Sequence, residues 1–154
     1  MKTLTSNKKQ DLIDACNQYV GERIDRIRRA IGDLEDALKL ETKCSMGDKY
    51  ETGRAMLHLE FEKLSEQLEQ YGQLKKTVDL IRTIQPSEVI SFGSVVETTG
   101  ANYILAIPAG KFTVHDKEYF AVGVGSPIAK ALLGKRKGES FSFNGREELI
   151  EEVF

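Results

Sequence analysis

The feature that most restricts how this chain can fold is a pair of apolar patterns that mirror one another. Ile13, Asn17, Val20, Ile24, Ile27, Ile31, Leu34 and Leu38 follow alternating steps of four and three, the seam of a coiled-coil helix. Leu57, Phe61, Leu64, Leu68, Tyr71, Lys75 and Val78 repeat those steps. In a chain that folds back on itself, facing residues have numbers with a constant sum. Leu38 with Leu57, Leu34 with Phe61, Ile31 with Leu64, Ile27 with Leu68, Ile24 with Tyr71, Val20 with Lys75 and Asn17 with Val78 all total 95. The two seams are in register, and the spacing predicts an antiparallel helical hairpin. Its midpoint falls between Gly47 and Asp48, so residues 44–53 form a tip and not a core.

The first helix is expected from about Asn7 to Glu41, after a frayed polar start. At the usual rise per residue it spans roughly 50 Å. The second is expected from Tyr50 or Gly53 to Ile84, where Gln85-Pro86-Ser87 ends it, because the residue before a proline is driven out of the helical region. Two polar residues interrupt the seams: Asn17 facing Val78, and Lys75 facing Val20. Both fall near the base, where the following segment would cover them. A hairpin two helices wide buries little, but it carries the side chains of its tip far from its base.

From Glu88 the period changes from helical to alternating. Val89 to Thr98, Tyr103 to Ile107, Lys111 to Val114, Tyr119 to Val124, Glu139 to Phe143 and Glu148 to Val153 read as strands, with Asn144-Gly145 as a hairpin turn. One short helix interrupts them: Ser126 caps it, Pro127 suits its first position, Ile128, Leu132 and Leu133 supply its apolar side, and Gly134 stops it. The chain is therefore expected to be α+β, with a coiled coil over 1–85 and a small sheet domain over 86–154.

Charge excludes some functions. Lys and Arg number 22 against 24 Asp and Glu, a net charge of -2, so no global field draws in nucleic acid or membrane. The start lacks the apolar core of a signal peptide and no run is long enough to span a bilayer, which predicts a cytoplasmic protein. Cys16 and Cys44 would sit about 40 Å apart along one helix, beyond disulfide reach. Both are expected as free thiols, and neither they nor His58 and His115 have a zinc spacing.

At the tip, Asp48 and Glu51 stand three apart. One reading is a capping box, with Asp48 taking backbone N–H groups and Glu51 reaching back. The other is a pair of carboxylates on one helical face that holds hydrated Mg²⁺ or orients a water. Two acids on a bare tip lack the further ligands and the dry pocket that hydrolysis needs, so a partner must complete such a site. Arg23, Arg26, Arg28 and Arg29 also invite two readings: a solvated face balanced by Glu22, Asp25, Asp33, Glu35 and Asp36, or a local phosphate contact. No interleaved aromatic residues favour base recognition.

The hairpin together with the segment from Ser126-Pro127-Ile128 to Gly138-Glu139 resembles the Gre family of bacterial transcript cleavage factors. The likeness runs over nearly the whole chain. The Ser-Pro-Ile to Gly-Glu segment looks like the family's C-terminal domain of FKBP-like fold, and Gly47-Asp48-Lys49-Tyr50-Glu51 is similar to its Gly-Asp-x-x-Glu tip. The resemblance implies a monomeric accessory factor, not an enzyme in its own right. Its globular domain would dock outside the secondary channel of RNA polymerase, while the coiled coil reaches toward the active centre. Asp48 and Glu51 would help the polymerase hold a catalytic Mg²⁺ and activate water, so that backtracked RNA is cleaved at its nascent 3′ end. The free protein would carry no cofactor, and neither sequence-specific DNA binding nor membrane contact is implied. Gly125, Ser126, Pro127 and Ile128 resemble the surface that meets polymerase, and Arg23, Arg26 and Arg29 would correspond in role to the basic patch that meets RNA. A helix cap is the alternative for Gly125 to Ile128.

After Glu51 the chain departs from the family: Thr52-Gly53-Arg54 stands where Asn-Ala-Glu is usual. That departure motivates a second expectation, a channel-binding regulator that inhibits or modulates transcription without cleavage. A third, prolyl isomerisation, is disfavoured: there is no Trp, and Phe92, Tyr103, Phe112, Tyr119, Phe120, Phe141 and Phe143 alternate as core residues do.

Overall fold

The computed structural model describes the backbone of residues 2–43 and 47–154, and the side chains of residues 5–40 and 52–154. Its architecture is α+β, with two long helices packed against each other and followed by a mixed sheet and a short helix. Helix α1 spans Lys2–Lys43 and α2 spans Gly47–Ile81. Both begin earlier than their apolar patterns; on α1, Lys8, Lys9 and Gln10 extend the helix ahead of its seam at little cost. Helix α2 ends three residues before Ile84, where the N–H groups of Thr83 and Ile84 turn to the carbonyls of Leu80 and Ile81. The tighter i to i−3 bonding closes the last turn.

The chain divides into two compact units, residues 20–75 in one and residues 1–19 with 76–154 in the other. In the helical unit Val20, Ile24, Ile27 and Leu34 are buried. On α2, Leu57, Phe61, Leu64, Leu68 and Tyr71 are half-buried, as expected where a single neighbouring helix covers each stripe. Lys75, placed on the seam by its spacing, is exposed.

The second unit holds the sheet: β1 (Val95–Thr98), β2 (Asn102–Leu105), β3 (Gly110–Val114), β4 (Lys117–Val122), β5 (Ser140–Phe143) and β6 (Arg146–Val153), with helix α3 (Pro127–Leu132) between β4 and β5. The strand order is β3-β4-β2-β1-β6-β5. Neighbours are antiparallel except β2 and β4, which run parallel with Tyr103 opposite Phe120. The first strand is shorter than its alternation suggests. Gly93, at φ +89, breaks the extended run and brings its backbone close to Ile81 on α2, a conformation L side chains avoid. Val89 keeps only an isolated bridge to Arg136. Two-residue turns with positive φ, His115-Asp116 and Asn144-Gly145, join β3 to β4 and β5 to β6, the turn form that matches strand twist.

All four residues of β1 are buried. On one face, Val96 packs with Ile90, Leu105, Phe141, Ile150 and the α3 residues Ile128, Ala129 and Leu132. The start of α1 meets the sheet at other points, with Lys8 Nζ 3.6 Å from Glu97 and the Tyr19 ring edge-on to Phe112. Among the described residues no helix is long and apolar enough to cross a membrane.

Ile150 is fully buried, whereas Leu59 on α2 is 66% exposed. Replacing Ile150 with Ala is expected to cost about 2–5 kcal/mol in urea unfolding, and Leu59→Ala to change stability by less than about 0.5 kcal/mol.

Candidate functional site

The carboxylates expected at the tip belong to the opening turns of α2, which begins at Gly47. The side chains of Asp48 and Glu51 lie outside the described residues, as does Cys44. Thr52, just beyond them, is exposed, and Gly53 and Arg54 are half-buried. Among the described residues no cluster of three His, Cys, Asp or Glu side chains is arranged to hold a metal ion.

On α1 the basic residues separate by environment. Arg23 is half-buried and engaged with neighbours. Arg26, Arg28 and Arg29 are exposed, and the Arg29 Nε donates to the carbonyl of Asp25 one turn earlier, at 3.4 Å. The helical repeat thus leaves guanidinium groups in solvent on the helical unit, where they can meet a phosphate without first losing a buried partner.

The third set surrounds the start of α3. The Ser126 hydroxyl accepts from the Ala129 N–H at 3.3 Å and donates to the Gly123 carbonyl at 2.7 Å. It is a helix cap tied back to the preceding loop. Pro127 follows at the first helical position, where the absent N–H costs nothing. Ile128 is only 6% exposed and anchors α3 in the sheet core. Gly125 and Pro127 are exposed, so of the four residues these two offer surface while Ser126 and Ile128 fix its position. Val124 and Leu133 add exposed apolar side chains at 40% and 38%.

One cluster escapes a reading of the sequence. Glu97, in the central strand, is 6% exposed. Its carboxylate accepts from the Tyr119 hydroxyl and lies 3.6 Å from Lys8 Nζ and 3.5 Å from Lys117 Nζ. A buried carboxylate left alone is strongly disfavoured, and here two ammonium groups and a phenol satisfy it. The cluster ties α1 to β1 and β4. Close by, Asp11 meets His115 Nε2 at 2.7 Å, and Asp14 accepts from Arg82 at 2.8 Å. These contacts cross-link the ends of the two helices to the sheet and to each other.

Burial sets the titration of several groups. It pushes the Cys16 thiol from 9.0 up to about 12. Burial, then the hydrogen bond to Glu97 and its negative charge, pushes the Tyr119 phenol upward. Burial raises Tyr103, with Glu148 adding to the effect, while burial holds Lys9 below the usual lysine range. For Cys16 and Tyr119 the folded state retains the proton more tightly than the unfolded one. Their contribution to stability is therefore complete below the unfolded pKa and is lost as pH rises above it, through 9 toward 12 for Cys16. Lys9 acts in the opposite sense, so a comparison of variants isolates the effect. Between about pH 8 and pH 11, urea unfolding is expected to show wild-type stability falling more steeply than that of a Cys16→Ala, Tyr119→Phe double variant.

Compared with known proteins, the chain matches no protein-family model and no curated protein.

Proposed function

We propose that this protein is a transcription elongation factor of the Gre type, which inserts its helical hairpin into the secondary channel of RNA polymerase and stimulates cleavage of backtracked RNA. The observation that carries the reading is the packing of two long helices against each other, whose sequence seams are in register, with Gly47, Asp48 and Glu51 where the second begins. The sheet and α3 support it as an FKBP-like docking domain, in which Gly125 and Pro127 meet polymerase while Ser126 and Ile128 hold them in place. Exposed Arg26 and Arg29, with Arg23, supply the contact to nascent RNA. The protein acts in the cytoplasm as a single copy and contributes to a reaction performed by the polymerase.

Carboxylate oxygens are the donors Mg²⁺ prefers, and two of them fall short of its octahedral shell, so Asp48 and Glu51 suit an ion held mainly by the polymerase and the RNA phosphates. With the polymerase supplying the remaining ligands, Asp48 and Glu51 would help hold the ion, which when bound would supply the acidity that activates a water for attack on the phosphoryl group. The two carboxylates would orient the attacking water and accept a proton from it. The narrow hairpin reaches the channel interior, and the arginines neutralise RNA phosphates along its flank.

A second reading, a channel-bound regulator that inhibits without cleavage, is favoured by Thr52-Gly53-Arg54, which replaces a further acid near the tip with a cation. One assay separates the two. With stalled complexes of the matched bacterial polymerase and Mg²⁺, the wild-type protein is expected to speed RNA cleavage, and Asp48→Ala with Glu51→Ala to lower that rate on the order of 10²-fold or more while polymerase binding persists. Inhibition of run-off transcription without cleavage, insensitive to the double substitution, would favour the regulator.

A further inference from the structure

In the unit that holds the sheet, the start of α1, the end of α2 with the turn after it, and Phe154 just beyond β6 line an open cavity of about 530 Å³. Ile13, Ile81, Ile84, Pro86 and Phe154 supply its apolar wall, and Lys9 joins them. That volume is in the range of small-molecule sites, which are mostly apolar with a few orienting polar groups.

Lys9 is the unusual member. It is half-buried, and among the described residues it has neither an ion-pair nor a hydrogen-bond partner. Its neighbours in sequence are satisfied differently: Lys8 faces Glu97 and Asp11 meets His115. The loss of water around Lys9 is felt, since burial lowers its pKa. A desolvated ammonium without a carboxylate favours an anion brought from outside. The other cation on the wall, Arg82, is already paired with Asp14 at 2.8 Å, which leaves one charge to be neutralised and not two.

We infer that this cavity is a binding site for an amphiphilic monocarboxylate, whose carboxylate pairs with Lys9 while its hydrocarbon body lies against Ile13, Ile81 and Ile84. A phosphate monoester, with nearly two charges, would find only one uncommitted cation. The site is distinct from the tip and from the α3 surface, and its occupancy is independent of the channel-binding reading.

The test is calorimetric titration of the full chain with octanoate and with neutral octanamide, paired with heteronuclear NMR. Wild-type protein is expected to bind octanoate roughly tenfold or more tightly than octanamide, the gain of a charge-assisted contact. Lys9→Met should bring octanoate down to the octanamide level, and Lys9→Arg should retain most of the preference. Resonances of Ile13, Ile81 and Ile84 should shift on addition of octanoate. Equal affinity of wild type and Lys9→Met for octanoate, no binding of octanoate, or shifts confined to other residues would overturn the site. Tighter binding of octyl phosphate than of octanoate would overturn the single-charge assignment.

Discussion

Two helices side by side can shield only one stripe each, and this limit governs the rest of the molecule. Along residues 20–75 the burial is deepest on α1, at Val20, Ile24, Ile27 and Leu34, and stays partial on α2. Such a pair has a thin core and gains little from propensity alone. The other unit supplies what the pair lacks. There Leu12, Ile13 and Cys16 on α1 and Val78 and Ile81 on α2 are almost wholly removed from solvent. The ionic contacts Lys8–Glu97, Asp11–His115 and Asp14–Arg82 add direction to that burial.

Cooperation between apolar burial and fixed charge explains why Glu97 is tolerated in the middle of a sheet. Its partners come from α1 and β4, so the carboxylate on β1 is satisfied only when all three elements are assembled. A group of this kind rewards one arrangement of the elements over others that would hide the same apolar area. The Tyr119 side chain, fully buried, belongs to both systems: its ring fills space in the core and its hydroxyl satisfies the acid.

Much of this was legible in the residues themselves. The heptad steps identify both helices because the period of 3.5 persists over many turns, and Ser126-Pro127 marks α3 because cap and first-turn chemistry are local. Asn144-Gly145 places a hairpin for the same reason. The full burial of β1 was not legible, since Val95-Val96-Glu97-Thr98 contains no alternation that separates a strand covered on one face from one covered on both. Nor was the late start of the first strand at Val95, which depends on how Gly93 meets Ile81. Of the candidate functional residues, the arginine row and the α3 cap follow from spacing. The exposure of Leu133 does not, because it takes the sheet to show that α3 turns only Ile128, Ala129 and Leu132 inward. The Lys9 cavity joins segments far apart in the chain, and no local pattern announces it.

An open six-stranded sheet has two borders, here β3 and β5, and each exposes backbone donors and acceptors that another chain could use. The β5 border is four residues long, and the β3 border carries Lys111 at its start and the sharp His115-Asp116 turn at its end. A short border gives an incoming strand few bonds to make, and a charged one adds a desolvation cost to each approach. Joining sheets edge to edge is thereby discouraged at both sides.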